Sequence, residues 1–243
     1  MLLTWYAWRA RNDAKHNGKK ITSQGIIALT MKQLHLIHVS FRIPASFWKG
    51  DASLAQHLGL HYTRVTLKPL IFVYWKRPPD SWTKLNTNAS VHPQFLSAAA
   101  AGILRCSNGR VIRAYQKILG PRNAFEAELE AIYIGLKLCR QLGYTKVIVE
   151  ADAQSVIHVL NSGRTSIHWK SMVIFKQIQL WKTDMEIIFS HIHREGNAVA
   201  DSLESDALKF NVSKELCFGE CNNVIKKLVF SDNTGIPYLR IPK

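Results

Sequence analysis

His191-Ile-His-Arg-Glu-Gly-Asn-Ala-Val-Ala-Asp201 is the stretch on which the reading of this chain turns. It leaves a β-type run at residues 185–191 and enters an apolar-periodic helix expected over residues 197–208. A histidine thus stands at a strand end, and an acid follows on the next helix. Upstream, Lys146-Val-Ile-Val-Glu-Ala-Asp152 repeats the arrangement, a β-rich run that ends on an acid. Helices are expected after it, over residues 153–160 and 169–181. A strand, a helix and a second strand in that order force parallel pairing.

Further upstream the pattern is antiparallel. Residues 82–88 alternate as a strand, and residues 98–105 and 110–117 read as two more. Cys106-Ser-Asn-Gly109 supplies a hairpin turn between the latter two, because Asn-Gly tolerates positive φ. Asn123-Ala-Phe-Glu126 is a helix start with a capping-box glutamate. The helix behind it places Phe125, Leu129, Ile132, Leu136 and Cys139 on one face, and Gly143 ends it. The expected fold class is α/β: a five-stranded mixed sheet flanked by helices in three layers.

Several of these stretches resemble the plant-type ribonuclease H-like domain of the type 1 ribonuclease H family, as found in non-LTR retrotransposon reverse transcriptases. They are Trp82-Thr-Lys-Leu-Asn-Thr-Asn-Ala-Ser90, Gly102-Ile-Leu-Arg-Cys-Ser-Asn-Gly109, Ala127-Glu-Leu-Glu-Ala131, Gly135-Leu136, Val147-Ile-Val-Glu-Ala-Asp152 and the block from His191 to Asp201. The last is the most specific, since histidine, Arg-Glu, Asn and Ala-Asp all fall at family spacing. A shorter likeness joins Trp5, Trp8 and Arg11-Asn12 to the segment that precedes the domain in such elements.

The resemblance implies metal-dependent endonucleolytic hydrolysis of the RNA strand of RNA–DNA hybrids. Four carboxylates hold two magnesium ions in the family, manganese being an alternative. Glu128, Asp152 and Asp201 match three of these metal ligands, and His191 matches a catalytic histidine thought to assist proton transfer and product release. The first position departs: the family has aspartate and then glycine, and this chain has Asn88 and Ala89. An amide is neutral and offers one good metal-binding oxygen, so cation binding is expected to be weak and catalysis impaired. Ala89 and Ser90 fall where the RNA strand approaches, and the added methyl is expected to crowd it. The alternative reading is a catalytically dead pseudonuclease that binds hybrid or RNA, or a retrotransposon remnant. Each residue also has an ordinary explanation when taken alone. Glu128 reads as a solvated helix glutamate, Asp152 as a helix cap, Asp201 as a surface acid, His191 as a strand-end histidine and Asn88 as a turn residue.

The formal net charge of the 243 residues is +15. The first 80 residues hold 12 basic and 3 acidic side chains, and the remainder 20 and 14. Such a surplus attracts polyanions, so a nucleic-acid partner is expected and a membrane is not. Domain organisation is expected as a basic, partly helical extension over 1–75, the ribonuclease H-like domain over 76–210, and a tail over 211–243. Lys76-Arg-Pro-Pro-Asp80 is read as the stiff linker, residues 1–17 and 25–40 as helices. The four cysteines form no disulfide framework, and Cys217 and Cys221 make one CxxxC without the second pair that a structural zinc site needs. The start carries Arg9 before any apolar run of signal length. An intracellular location, nucleus or cytoplasm, is therefore expected rather than secretion.

Overall fold

The computed structural model describes residues 2–39, 70–92, 97–163 and 168–240. Compact units divide between Lys68 and Pro69. In the first unit, α1 (Leu2–Asn17) and α2 (Ser23–Val39) are joined by a hydrogen bond from the Tyr6 hydroxyl to Gln33 at 3.3 Å. Trp5 and Trp8 remain exposed, and Arg9 lies over the Trp5 ring. Most of residues 41–75, the poorly periodic part of the expected extension, lies outside the described residues.

The second unit is built on a mixed sheet. Its strands are β2 (Thr83–His92), β3 (Ser97–Arg105), β4 (Val111–Leu119), β5 (Lys146–Ala151), β6 (Glu186–His191) and β7 (Lys214–Leu216), in the order β6-β5-β2-β3-β4-β7. The first five are the expected strands, and β2, β5 and β6 run parallel. The sixth corrects the expected count, because β7 pairs antiparallel with β4. A separate two-stranded ladder joins β1 (Ile71–Val73) to β8 (Tyr238–Arg240).

Residues 211–240 are therefore not a tail. They supply β7, the helix α7 (Asn223–Thr234) and β8. The diproline segment is not a linker between units either. Trp75, just before it, is 4% exposed, and Trp82 N–H donates to the Pro79 carbonyl across a turn.

Helices cover both faces of the sheet. On one face, α3 (Ala124–Gln141) packs with α4 (Gln154–Ser162) and α5 (Trp169–Trp181) around Leu85, Leu129, Ile132, Leu136, Val147, Val149 and Phe175. The capping box at Asn123 and Glu126 forms as expected. On the other face, α6 (Ala198–Phe210) and α7 close over Ala101, Ile103, Val199, Leu203 and Ile225. The run Ala98–Ala101 has weak strand propensity, yet it occupies a central strand because both layers need small partners there. Ala98 and Ala100 face Ala127 and Ala131, while Ala101 faces the α6 side. Gly102 is required by its neighbour: a Cβ there would lie 2.5 Å from the Tyr115 ring.

One buried ionic network ties the C-terminal segment to the sheet. Arg105 and Asp232 are each 1% exposed at the side chain and meet at 2.5 Å. The Arg105 guanidinium lies 3.5 Å from the Trp75 ring centre and donates to Asn86 Oδ1. Trp75 Nε1 donates to the same Asn86 oxygen, and Tyr238 donates to Asp232. Asn86 Nδ2 in turn reaches Glu150, which takes Lys84 at 2.6 Å.

Candidate nucleic-acid-cleaving site

The parallel part of the sheet ends at one place. Pairing of β2 with β5 stops at Thr87 and Ala151, and pairing of β5 with β6 stops at Ala151 and His191. Asn88 and Asp152 are the next residues on their strands, and His191 is the last of β6. The edge beyond the carboxyl ends of parallel strands is where α/β sheets expose side chains to ligands. The start of α6 is fixed against this edge, because buried Asn197 donates to the Thr87 carbonyl at 2.8 Å. Asp201 sits in the first turn of α6. Glu128 comes from the opposite layer, on α3 beside the alanines that bring that helix close to the sheet.

Burial drives the Glu128 carboxyl up to about 8; the charge of Asp152 adds to this, and Glu204 contributes further, while a hydrogen bond from the Ala89 backbone opposes them. One carboxylate oxygen of Glu128, Oε2, is buried, which departs from a fully solvated helix glutamate. Asp152 is raised as well, first by burial and also by Asp201, against its own backbone N–H, Arg194 and His191. It makes no side-chain cap to α4, so the helix-cap explanation falls too. Glu128 Oε2 and Asp152 Oδ1 are buried without hydrogen-bond partners. Unpaired buried carboxylate oxygens are costly unless something positive answers them.

Asp201 is already answered. Its Oδ1 accepts from Arg194 Nη2 at 2.9 Å, from Arg194 Nε at 3.2 Å and from Asn88 Nδ2 at 3.2 Å. Asn88 is 5% exposed, so it is a buried site residue and not a surface turn. An aspartate in its place would repel Asp201, whereas the amide donates to it. His191 is exposed and stands edge-on to His193 with ring centres 5.5 Å apart.

The two expected substrate-contact residues turn to opposite faces. Ala89 packs on the alanine cluster below α3, so its methyl is accommodated there. Ser90 donates its hydroxyl to Glu204. Glu204 is the residue that sequence reasoning missed: it is 4% exposed on α6, one turn beyond Asp201. On its own it reads as an ordinary helix glutamate, and only the fold brings it to Ser90.

Among the described residues, no three His, Cys, Asp or Glu side chains stand close enough to hold a cation as they are. The donor set still suits a hard cation such as magnesium, which takes carboxylate oxygens. Two such oxygens wait unpaired, and the third carboxylate is held by a guanidinium whose own charge acts on Asp152 and Glu204. No described helix is long and apolar enough to cross a membrane.

A curated relative from Arabidopsis thaliana, named "Putative ribonuclease H protein", is 26% identical over 138 residues, 57% of this chain. The chain spans 22% of that relative's length. Among solved structures, the LC11 ribonuclease H1 isolated from compost aligns with a TM-score of 0.50 at 19% identity, over 54% of this chain and 98% of that one, a likeness of fold. The same enzyme in complex with an RNA/DNA hybrid gives 0.49 at 19% identity, over 53% and 98%. A family model described as reverse transcriptase-like matches residues 86–207, just over half of the chain and every site residue named above, and the chain therefore belongs to this ribonuclease H-like family.

Proposed function

We propose that the chain is a divalent-metal-dependent ribonuclease acting on the RNA strand of RNA–DNA hybrids, with its metal site weakened at Asn88. The observation that carries this reading is the pair of buried, unpartnered oxygens on Glu128 and Asp152 beside Asp201, at the carboxyl end of the parallel strands. Glu128, Asp152 and Asp201 are the residues that would hold magnesium or manganese. When bound, such a cation activates water and stabilises charge on a phosphodiester. Asn88 contributes a neutral oxygen where the family has a carboxylate, which lowers the negative charge available to the cation. The protein donors to Asp201 all fall on its Oδ1, which leaves Oδ2 to serve as a ligand. His191, exposed at the rim, is placed to carry protons between the site and solvent.

The net charge of +15 supplies affinity for the hybrid that does not depend on the metal, through phosphate contacts that release counterions. Binding is therefore expected to weaken steeply as salt rises and to change little on Glu128→Gln. The decisive experiment is cleavage of a labelled hybrid by the full chain with magnesium and with manganese, beside the Asn88→Asp variant. Slow metal-dependent cleavage of the RNA strand, raised in the variant, is the expected result. If neither protein cuts with either metal, the enzymatic reading is wrong.

A further inference from the structure

The helix α1 carries a surface outside the ribonuclease H-like domain. Residues 2–39 hold six basic side chains, Arg9, Arg11, Lys15, Lys19, Lys20 and Lys32, against one acid, Asp13. That acid is half-buried, in a cleft it shares with Tyr6, Ala10, Ile26 and Leu29. The outer side of α1 therefore carries positive charge with no acid to neutralise it.

Helical spacing fixes which residues share that side. Ala10 is the buried residue of α1. At 3.6 residues per turn, Trp5, Trp8, Asn12 and Lys15 lie within about 40° of the direction opposite Ala10, and Arg9 and Arg11 flank them. Trp8 is 61% exposed and Trp5 47%, whereas Trp75 and Trp181 of the second unit are 4% and 5% exposed. Two indoles in water, one turn apart, forgo the burial that the core tryptophans gain, which marks an interaction surface. Arg9 lies over the Trp5 ring, 5.4 Å from its centre, so a guanidinium is held beside one of the two rings. A lipid surface calls for an apolar stripe along the whole helix, but beyond Trp8 this face continues as Asn12 and Lys15. Aromatic rings set among unpaired cations match the two parts of a nucleotide, base and phosphate.

We propose that this face of α1 binds single-stranded nucleic acid, with Trp5 and Trp8 stacking on unpaired bases and Arg9, Arg11 and Lys15 taking the phosphates. Every base has a π-face, so the surface recognises the unpaired state and not a sequence. A blunt RNA–DNA hybrid offers phosphates but keeps its base faces stacked. The surface is thus a second nucleic-acid site, with a different ligand from the carboxylate site and no need of a metal.

The test is fluorescence anisotropy of a labelled oligothymidylate of about twelve nucleotides with the full chain, in chelator so that no turnover enters. The comparison strand has the same length and charge but abasic sugars. The unmodified chain is expected to prefer the base-bearing strand by about tenfold or more. Trp5→Ala combined with Trp8→Ala is expected to lose that preference while binding the abasic strand and a blunt hybrid as before. Trp5→Phe combined with Trp8→Phe keeps two rings and is expected to retain most of it. Oligouridylate is expected to bind as oligothymidylate does, since the contacts reach base faces and phosphates. Equal affinity of the unmodified chain for the base-bearing and abasic strands overturns the proposal, as does an oligothymidylate affinity that the alanine pair leaves untouched. A loss shared equally by the blunt hybrid, or a phenylalanine pair as weak as the alanine pair, also overturns it. Binding to anionic phospholipid vesicles that disappears with the alanine pair, while oligothymidylate binding persists, overturns it in favour of a lipid surface.

Discussion

Asn86 and Asn88 sit two residues apart on one face of β2, and their surroundings are opposites. Around Asn86 every charge is answered: Arg105 by Asp232, Lys84 by Glu150, and the amide itself by Trp75, Arg105, Glu150 and Asn197. Around Asn88 the carboxylates of Glu128, Asp152, Asp201 and Glu204 act on one another through like charge, with Arg194 and one amide to offset them. Desolvation is the common condition, and pairing decides its consequence. Where opposite charges are matched, burial locks segments together. Where like charges are gathered, burial raises the carboxyls and opposes their ionisation.

The largest effect is expected on the matched side. Asp232→Ala leaves Arg105 buried with no counter-ion, which typically destabilises by about 3–5 kcal/mol. That is a large share of a domain's usual ~5–15 kcal/mol. Denaturant unfolding of the full chain measures it. A loss under about 1 kcal/mol, the worth of an ordinary surface pair, would show that the network does not anchor α7 and β8.

The second effect belongs to the unmatched side and has the opposite sign. Glu128 has its carboxyl raised from 4.5 to about 8 in the fold, so the folded state favours the protonated form. Stability from this group is complete below about pH 4.5 and is lost as pH rises towards 8. Glu128→Gln is therefore expected to remove a loss of a few kcal/mol between those limits, and to raise the metal-free melting temperature at pH 8. Melting curves across pH, without and with magnesium, check it. A variant less stable than the parent at pH 8 would mean that Glu128 is matched after all.

The contrast also marks what the sequence discloses. The five long strands, the Asn108-Gly109 turn and the Asn123 capping box were legible because each is a local pattern of two to eighteen residues. The strands β1, β7 and β8 are three residues each, too short to show a period, and their partners lie far along the chain. Arg105 and Asp232 are 127 residues apart, and Ser90 and Glu204 are 114 apart. Such pairs leave no local signal. Asn88, Glu128, Asp152, His191 and Asp201 were found only because the text around each matches a family, while Glu204, which no motif marks, was not.

A third change moves a residue from one regime towards the other. Asn88→Asp replaces a donor to Asp201 with a like charge, so the metal-free protein is expected to lose about 1–2 kcal/mol of stability, in proportion to a buried hydrogen bond removed. Hybrid cleavage with magnesium is expected to rise about 10²-fold, the usual effect of one preorganised catalytic contact. Single-turnover cleavage and thermal melts measure the two sides. Lower stability without faster cleavage would place the lesion elsewhere than at this carboxylate; Asn88→Asp combined with Ala89→Gly then tests whether the methyl is responsible.

The smallest effect concerns Arg194, the guanidinium that pairs with Asp201. Arg194 donates twice to Asp201, but its side chain is 74% exposed, so the pair lies largely in water. Exposed pairs contribute about 0–1 kcal/mol, and Arg194→Gln is expected to shift stability by no more than that. Metal binding is expected to respond in the other direction. The guanidinium engages one of the two Asp201 oxygens, and its charge acts on Asp152 and Glu204 as well. Its removal frees the second Asp201 oxygen and ends a repulsion, which favours manganese affinity by a few-fold, on the order of the ~1 kcal/mol for unit charges 4 Å apart in water. Calorimetric titration of the variant against the unmodified chain at two salt concentrations separates these causes. Screening shrinks the gain if charge repulsion dominates and leaves it if competition for Asp201 dominates. An affinity that falls on Arg194→Gln would mean that the guanidinium organises the site instead of competing for it.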